Sequence, residues 1–172
     1  MNNFILMLCI TFKILPYILE NYGLDITQMN TYPWGYTPII ASLLYTKNIT
    51  RKILILIVPD ISIILINPSH AIYEGQIINY VLLLTSTIYD NKFSAISSNL
   101  TYFTLSNASV WLISNIYPKT IPGLITCYIN AIPFLTFNLI STITYILLFK
   151  MIKEQVLHQS HSISYHWLEN IR

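Results

Sequence analysis

Six apolar segments, separated by short polar stretches, make up most of this chain. Charged residues are only 9% of the sequence, against roughly 25% in soluble domains. This small number of charges cannot cover the surface of a water-soluble domain of 172 residues. We therefore expect lipid to cover the surface of this chain. We therefore predict an all-α integral membrane bundle. Its segments cover approximately residues 4–19, 36–45, 53–66, 76–89, 93–113 and 121–149.

The bundle is predicted to be a single domain over residues 1–150, followed by a polar cytoplasmic tail over 151–172. Several segments are shorter than the roughly 20 residues that cross the hydrocarbon core. These helices are expected to tilt or to be shielded by their neighbours. The chain begins without a basic region, and no small-residue cleavage site follows the first apolar stretch, so we expect the first helix to be retained.

The positions of Lys and Arg predict that both termini lie in the cytoplasm. With the N-terminus inside, seven of the nine basic residues fall in internal positions, and the external loops hold three acidic residues and one lysine. Basic loops resist translocation, so the positive-inside rule selects this orientation. The internal basic residues are Lys47, Arg51, Lys52, Lys92, Lys150, Lys153 and Arg172. The external charges are Glu20, Asp25, Glu74 and Lys119.

Several classes of function find no support in the sequence. A net charge of +2 without a basic stripe argues against nucleic-acid binding. Cys9 and Cys127 lie inside apolar runs and lack the spacing of a metal site or a disulfide. His158, His161 and His166 have no carboxylate or cysteine to complete a metal site, which favours a solvated or interfacial tail. No phosphate-binding loop, nucleophile elbow or metalloprotease motif occurs, so the sequence gives no support for an enzyme, and we predict no cofactor.

Asp60 is the first candidate for a functional residue. It lies eight residues after Lys52, which places its carboxylate about 12 Å along a helix and deep in the bundle. A charge at that depth needs a partner and should face the bundle interior. Pro59 removes a backbone hydrogen bond beside it, which is a common way to make a site and also a common kink. Asp60 is therefore either part of a polar ligand or coupling site, or a structural ion pair, for example with Lys13.

Three more residues near the external end of the fifth segment are candidates. Lys119 is the single basic residue of its loop and could attract an anionic ligand, or it could anchor the loop at the interface with Tyr117. Asn107 and Trp111 are four residues apart and lie on one helix face. They could present a donor and a stacking surface to a pocket, or they could hold helices together.

The stretch from Asn107 to Phe149 carries a resemblance to a known family. It resembles the C-terminal signature of an uncharacterised bacterial multi-pass membrane family, which is itself similar to the substrate-binding S-components of energy-coupling-factor (ECF) vitamin transporters. The matching residues are Asn107-x3-Trp111, Tyr117-Pro118-Lys119-Thr120, Gly123-Leu124, Cys127-Tyr128 and Ala131-Ile132-Pro133-Phe134. In the N-terminal half they are Lys13, Leu15-Pro16, Gly35-Tyr36-Thr37-Pro38, Ala41, Leu44 and Pro59-Asp60. The chain differs at Ser141-Thr142, where the family commonly has an acidic residue, and in an apparent insertion over residues 20–32.

This resemblance implies an S-component-like bundle in the bacterial cytoplasmic membrane that holds a small molecule near its outer face. Transport would then need a separate transmembrane coupling subunit and cytoplasmic ATPases. The residues expected in the pocket are Trp111 and Tyr128 for stacking, with Asn107, Lys119 and Asp60 for polar contacts. The first segment lacks the small-x-x-x-small pattern through which known S-components dock.

Three hypotheses follow. The leading one is a small-molecule-binding subunit of a transport system. The second is a structural or partner-binding membrane protein without a ligand, in which Asp60 and Asn107 only hold helices together. The third is an intramembrane enzyme, which would need a second titratable group, such as Lys119 or Glu74, beside Asp60.

Overall fold

A computed structural model describes residues 2–23, 37–66, 74–88 and 94–169. Within these ranges the regular secondary structure consists of six α-helices, and no strand is present. The predictions of an all-α chain and of about six helical segments are therefore confirmed. The helices are α1 (Asn2–Asn21), α2 (Ile39–Tyr45), α3 (Ile49–Ile66), α4 (Glu74–Ser86), α5 (Ser94–Ile113) and α6 (Ile121–Glu169).

The largest difference from the predicted segments is the length of α6, which has 49 residues. It was expected to end near residue 149, but it continues through most of the segment predicted as a polar tail. Residues 150–169 contain neither Pro nor Gly and are rich in good helix formers, so nothing in the sequence ends the helix there. Pro133 lies inside α6 and does not interrupt it.

The short helix α2 occupies the centre of the bundle and contacts α1, α3, α5 and α6. Its four consecutive residues 40–43 are all buried. Successive helical residues point about 100° apart, so such a run is possible only where neighbours surround the helix. The helix is preceded by Pro38 and ends at Thr46, whose backbone is extended. In addition, α1 packs on α3, and α5 packs on both α4 and α6.

One end of the bundle, which we call the basic end, gathers most of the described basic residues. The rings of Tyr45, at the end of α2, and Phe149, in α6, are 5.4 Å apart, and Phe149 is completely buried. Lys52 Nζ donates to the Thr87 carbonyl at 3.1 Å and so joins the start of α3 to the end of α4. The basic end carries Lys47, Arg51, Lys52, Lys150 and Lys153. Lys92 and Arg172 lie outside the described residues.

Among the described helices, one is long and apolar enough to cross a membrane, over Ile121–Leu157. The others fall short for different reasons. The apolar parts of α1 and α4, Asn3–Pro16 and Gln76–Ser86, are too short. Three charged residues, Arg51, Lys52 and Asp60, interrupt α3. Helix α5 has 20 residues and no charge, but Ser, Thr and Asn lower its hydropathy.

Candidate ligand-binding site

All six helices contribute to the wall of a cavity of about 400 Å³. Helices α2 and α4 both end at the basic end, and the cavity is lined by the first residues of α2 and by residues 76–83 of α4. It therefore lies away from the basic end. Its volume lies within the range of about 300–1,000 Å³ that is usual for small-molecule sites. Its lining residues are Lys13, Thr37, Ile39, Ile40, Leu56, Asp60, Gln76, Asn79, Tyr80, Leu83, Tyr102, Phe103, Ser106, Asn107, Val110, Ala131, Phe134, Leu135 and Asn138.

Polar side chains supply ten of these nineteen lining residues. Four are amides: Gln76 and Asn79 on α4, Asn107 on α5 and Asn138 on α6. The remainder of the wall is aliphatic and aromatic. A wall of amides, hydroxyls and aromatic rings, with one ion pair, suits a small molecule that carries both polar groups and an apolar body.

Among the described residues, Asp60 has three polar partners in the cavity wall. Its side chain is only 2% exposed, and its Oδ1 lies 2.9 Å from Lys13 Nζ. Its other oxygen, Oδ2, accepts hydrogen bonds from Gln76 Nε2, at 2.6 Å, and from the Tyr80 hydroxyl. Gln76 and Tyr80 are four residues apart, so one face of α4 presents both donors. The ion pair with Lys13, the structural alternative from the sequence, is therefore present.

The loop between α5 and α6 is closed by Lys119 and Trp111. The Lys119 ammonium donates to the carbonyl oxygens of Trp111 and Ser114, at the C-terminal end of α5, and it lies 5.9 Å from the centre of the Trp111 ring. The last carbonyls of a helix lack partners within the helix and carry partial negative charge, so a cation stabilises them. Trp111 Nε1 donates to the Pro118 carbonyl at 2.9 Å. Both side chains thus hold the loop against α5.

Tyr128, in the second turn of α6 after this loop, joins α6 to α5. Its hydroxyl donates to the Thr104 carbonyl at 2.7 Å, and its ring lies 5.6 Å from that of Phe103. One position earlier, Cys127 Sγ lies 3.5 Å from the Asn107 carbonyl. The residues that carry the family resemblance in this region therefore fasten the α5–α6 hairpin.

The structure separates the five predicted site residues into two groups. Asp60 and Asn107 line the cavity. Trp111, Lys119 and Tyr128 do not belong to the cavity lining, and their described contacts lie within the α5–α6 hairpin. A ligand-binding role for any of the five stays a prediction.

Other lining residues were not identified from the sequence. The spacing of Gln76 and Tyr80 was a signal, since polar groups four residues apart lie on the same face of a helix. No sequence pattern marked Asn79 or Asn138, because single asparagines carry little information in an Asn-rich chain. Lys119 is not beside Asp60, and the side chain of Glu74 lies outside the described residues.

Ser141 and Thr142, where the resemblance leads one to expect an acidic residue, have packing roles. Ser141 Oγ donates to the Thr37 carbonyl at 2.6 Å and ties α6 to the start of α2. Thr142 Oγ1 accepts from Asn99 Nδ2 at 3.0 Å and ties α6 to α5. Both side chains are buried. Neutral hydroxyls therefore connect three helices where a carboxylate would need a compensating charge.

Among the side chains that the structure describes, no cluster of three His, Cys, Asp or Glu residues could hold a metal ion. The side chains of His158, His161 and His166 lie outside this set. Cys9 and Cys127 are buried free thiols on different helices.

Comparison with known proteins places the chain in a family without assigning an activity. Residues 1–162 match a family of unknown function (DUF6580). Neither the curated proteins nor the solved structures contain a significant match. The prediction of an uncharacterised family is confirmed. Because the match covers almost all of the 172 residues, the chain belongs to the DUF6580 family.

Proposed function

We propose that this protein is a multi-pass protein of the bacterial cytoplasmic membrane that binds a small polar molecule, as an S-component-like subunit of a transport system. The observation that carries the proposal is the polar cavity, to which all six helices contribute. A buried carboxylate and several amides surrounded by apolar helices are costly in hydrocarbon, and such groups commonly mark ligand or ion sites. We expect the ligand to supply hydrogen bonds to these groups.

Exposed apolar surface supports the membrane part of the proposal. Many large hydrophobic side chains of α6 are exposed, among them Ile125, Ile129 and Leu147. Only 22% of the most apolar stretch of α6 is buried inside the protein, whereas the core helix of a soluble protein would be mostly buried. A surface of this kind is suited to lipid, which supports a location in the membrane. The gathering of five basic residues at one end supports an orientation with that end in the cytoplasm.

Cysteine labelling tests this orientation. Asn115, in the α5–α6 loop, and Gln155, in α6 beyond the basic end, are both exposed, while the native Cys9 and Cys127 are buried. In intact cells, a membrane-impermeant maleimide should label the Asn115→Cys variant and not the Gln155→Cys variant. Permeabilised cells should show both labelled. The reverse pattern, or equal labelling in intact cells, would contradict the proposed topology.

Ligand binding is testable on purified protein. Thermal-shift screening in nanodiscs against vitamins, their precursors and metal ions should find an organic ligand with a Kd in the low-micromolar range or below. Asn107→Ala should then weaken binding about fivefold or more, because it removes a polar group from the cavity wall. Asn130→Ala is the matched control, since Asn130 is exposed and lies outside the lining. Trp111→Ala tests the stacking prediction, which requires a loss above about 1 kcal/mol.

Transport would require further proteins. No nucleotide-binding motif occurs in the sequence, so energy would come from cytoplasmic ATPases through a transmembrane coupling subunit. Both should co-purify with a chain expressed in its own cells. The absence of a co-purifying ATPase, together with no hit in the ligand screen, would refute the proposal.

A structural role without a ligand is the second candidate function. It is favoured by Asp60, which has an ion pair and two hydrogen bonds within the protein itself. Under this alternative, Asp60→Asn lowers stability and changes neither ligand binding nor uptake. Under the proposed function the same substitution alters both.

A further inference from the structure

The two oxygens of the Asp60 carboxylate have different surroundings. Oδ2 is occupied by two donors from α4, the side chains of Gln76 and Tyr80. Oδ1 is buried and accepts no hydrogen bond of normal geometry from the described residues, and its described neighbour is the Lys13 ammonium at 2.9 Å. Oδ2 is therefore fixed within the protein, whereas Oδ1 has, among the described residues, one cation beside it.

Lys13 and Asp60 differ in how firmly the protein holds them. Asp60 is 2% exposed, while the Lys13 side chain is 30% exposed, and both line the cavity. A lysine carries its charge on a flexible stem of four carbons, so it can move its ammonium several ångströms without moving the helix. The carboxylate is thus the fixed member of the pair, and Lys13 is the exchangeable one.

We propose that the ligand of this cavity carries a cationic amino group, which replaces Lys13 at Asp60 Oδ1, so that Lys13 is a tethered occupant of the site in the ligand-free protein. This inference rests on the proposed function and specifies its ligand class. Exchange of one cation for another keeps a single positive charge against the buried carboxylate. An anionic ligand that displaced Asp60 from Lys13 would instead leave that carboxylate unpaired, which is strongly unfavourable.

The rest of the wall defines the body that carries this cation. Tyr102, Phe103 and Phe134 supply aromatic surface on α5 and α6. Aromatic faces attract organic cations and stack on planar rings. The ligand class is therefore a small organic amine with an aromatic or heteroaromatic ring that fits within about 400 Å³.

Three probes of nearly equal shape test this assignment: benzylamine, benzyl alcohol and benzoate. Their affinities are measured by titration calorimetry for the wild type and for Lys13→Met, in nanodiscs at neutral pH. Removal of the tethered cation should lower the Kd for benzylamine at least tenfold. The Kd for benzyl alcohol should change less than threefold, and the affinity for benzoate should not increase.

Further variants separate this effect from a general loosening of the fold. Lys13→Arg keeps a cation at the site and should bind benzylamine as weakly as the wild type. Lys13→Gln keeps a donor for Asp60 without the charge, and it should also bind benzylamine more tightly than the wild type. Adding Asp60→Asn to Lys13→Met should abolish the increase in affinity for benzylamine. The proposal is overturned if both Lys13→Met and Lys13→Gln bind benzylamine no better than the wild type, or if benzyl alcohol gains equally.

Failure of this inference is distinguishable from failure of the proposed function. A neutral or anionic ligand found in the wild-type screen, with no benzylamine gain in the Lys13 variants, leaves the binding function standing and rejects the amine class. No organic ligand in the screen and no benzylamine gain rejects both.

Discussion

Asp60→Ala is expected to lower the free energy of unfolding by about 3 kcal/mol. The substitution removes the acceptor of the Lys13 ion pair and of two hydrogen bonds from α4, so α3 loses these polar links to α1 and α4. Breaking a buried ion pair on one side costs about 3–5 kcal/mol because the other charge stays behind unpaired. Since Lys13 is 30% exposed and lines the cavity, it is less confined than a fully buried charge, and we expect the lower end of that range.

Equilibrium unfolding in mixed detergent micelles measures this effect. Ser62→Ala is the control, because Ser62 is in the same helix and its hydroxyl donates only to the nearby Val58 carbonyl. That variant should stay within about 0.5 kcal/mol of the wild type. Combining Asp60→Ala with Lys13→Met should recover part of the loss, since no charge is then left unpaired. A loss below about 1 kcal/mol for Asp60→Ala would show that the network contributes little.

Gly123→Ala is expected to destabilise the protein by about 2 kcal/mol. A Cβ at this buried position would lie far inside van der Waals contact of the Pro118 carbonyl oxygen and 3.0 Å from its carbon. The same carbonyl accepts the Trp111 indole N–H, so it cannot retreat without loss of that bond. The added methyl group must therefore push α6 away from the loop or break the contact that closes the hairpin.

The direction of the Gly123→Ala effect makes it a sharp test. In a helix without a close neighbour, Gly→Ala stabilises by up to about 1 kcal/mol. A neutral or stabilising result would therefore contradict the close approach of Pro118. Ile125→Ala, on the same turn of α6 and exposed, is the control and should be nearly neutral in detergent. Indole fluorescence, measured in a background in which Trp34 and Trp167 are replaced by Phe, reports whether the environment of Trp111 changes in either variant.

The helices were largely predictable, and the exceptions have physical causes. Charges and prolines separate the apolar runs, and this marks where α3 and α5 lie to within a few residues. The length of α6 was not predictable from hydropathy, because a polar segment without Pro or Gly can continue a helix into water. The central place of α2 also had no local signal, since a seven-residue helix is held by its neighbours.

The candidate site was predictable only in part. A lone carboxylate within an apolar run had to find a partner, and Lys13 was one that the sequence offered. The amides Asn79 and Asn138 converge on the cavity through tertiary packing, which spacing along one helix cannot reveal. Trp111 and Lys119 show the opposite case. Their side chains could bind a ligand, but in the structure they donate hydrogen bonds to carbonyl oxygens at the end of α5 and in the loop that follows it.

The sharing of one cavity among six helices has a thermodynamic consequence for assembly. On the proposed function, a fragment that lacks any one helix lacks part of the wall, so the ligand would have full affinity only for the complete chain. By linkage, a ligand present at about 100 times its Kd would add about 2.7 kcal/mol to the stability of the assembled state. Under that proposal, ligand binding is coupled to assembly of all six helices, and a binding measurement also reports how much of the protein is correctly assembled.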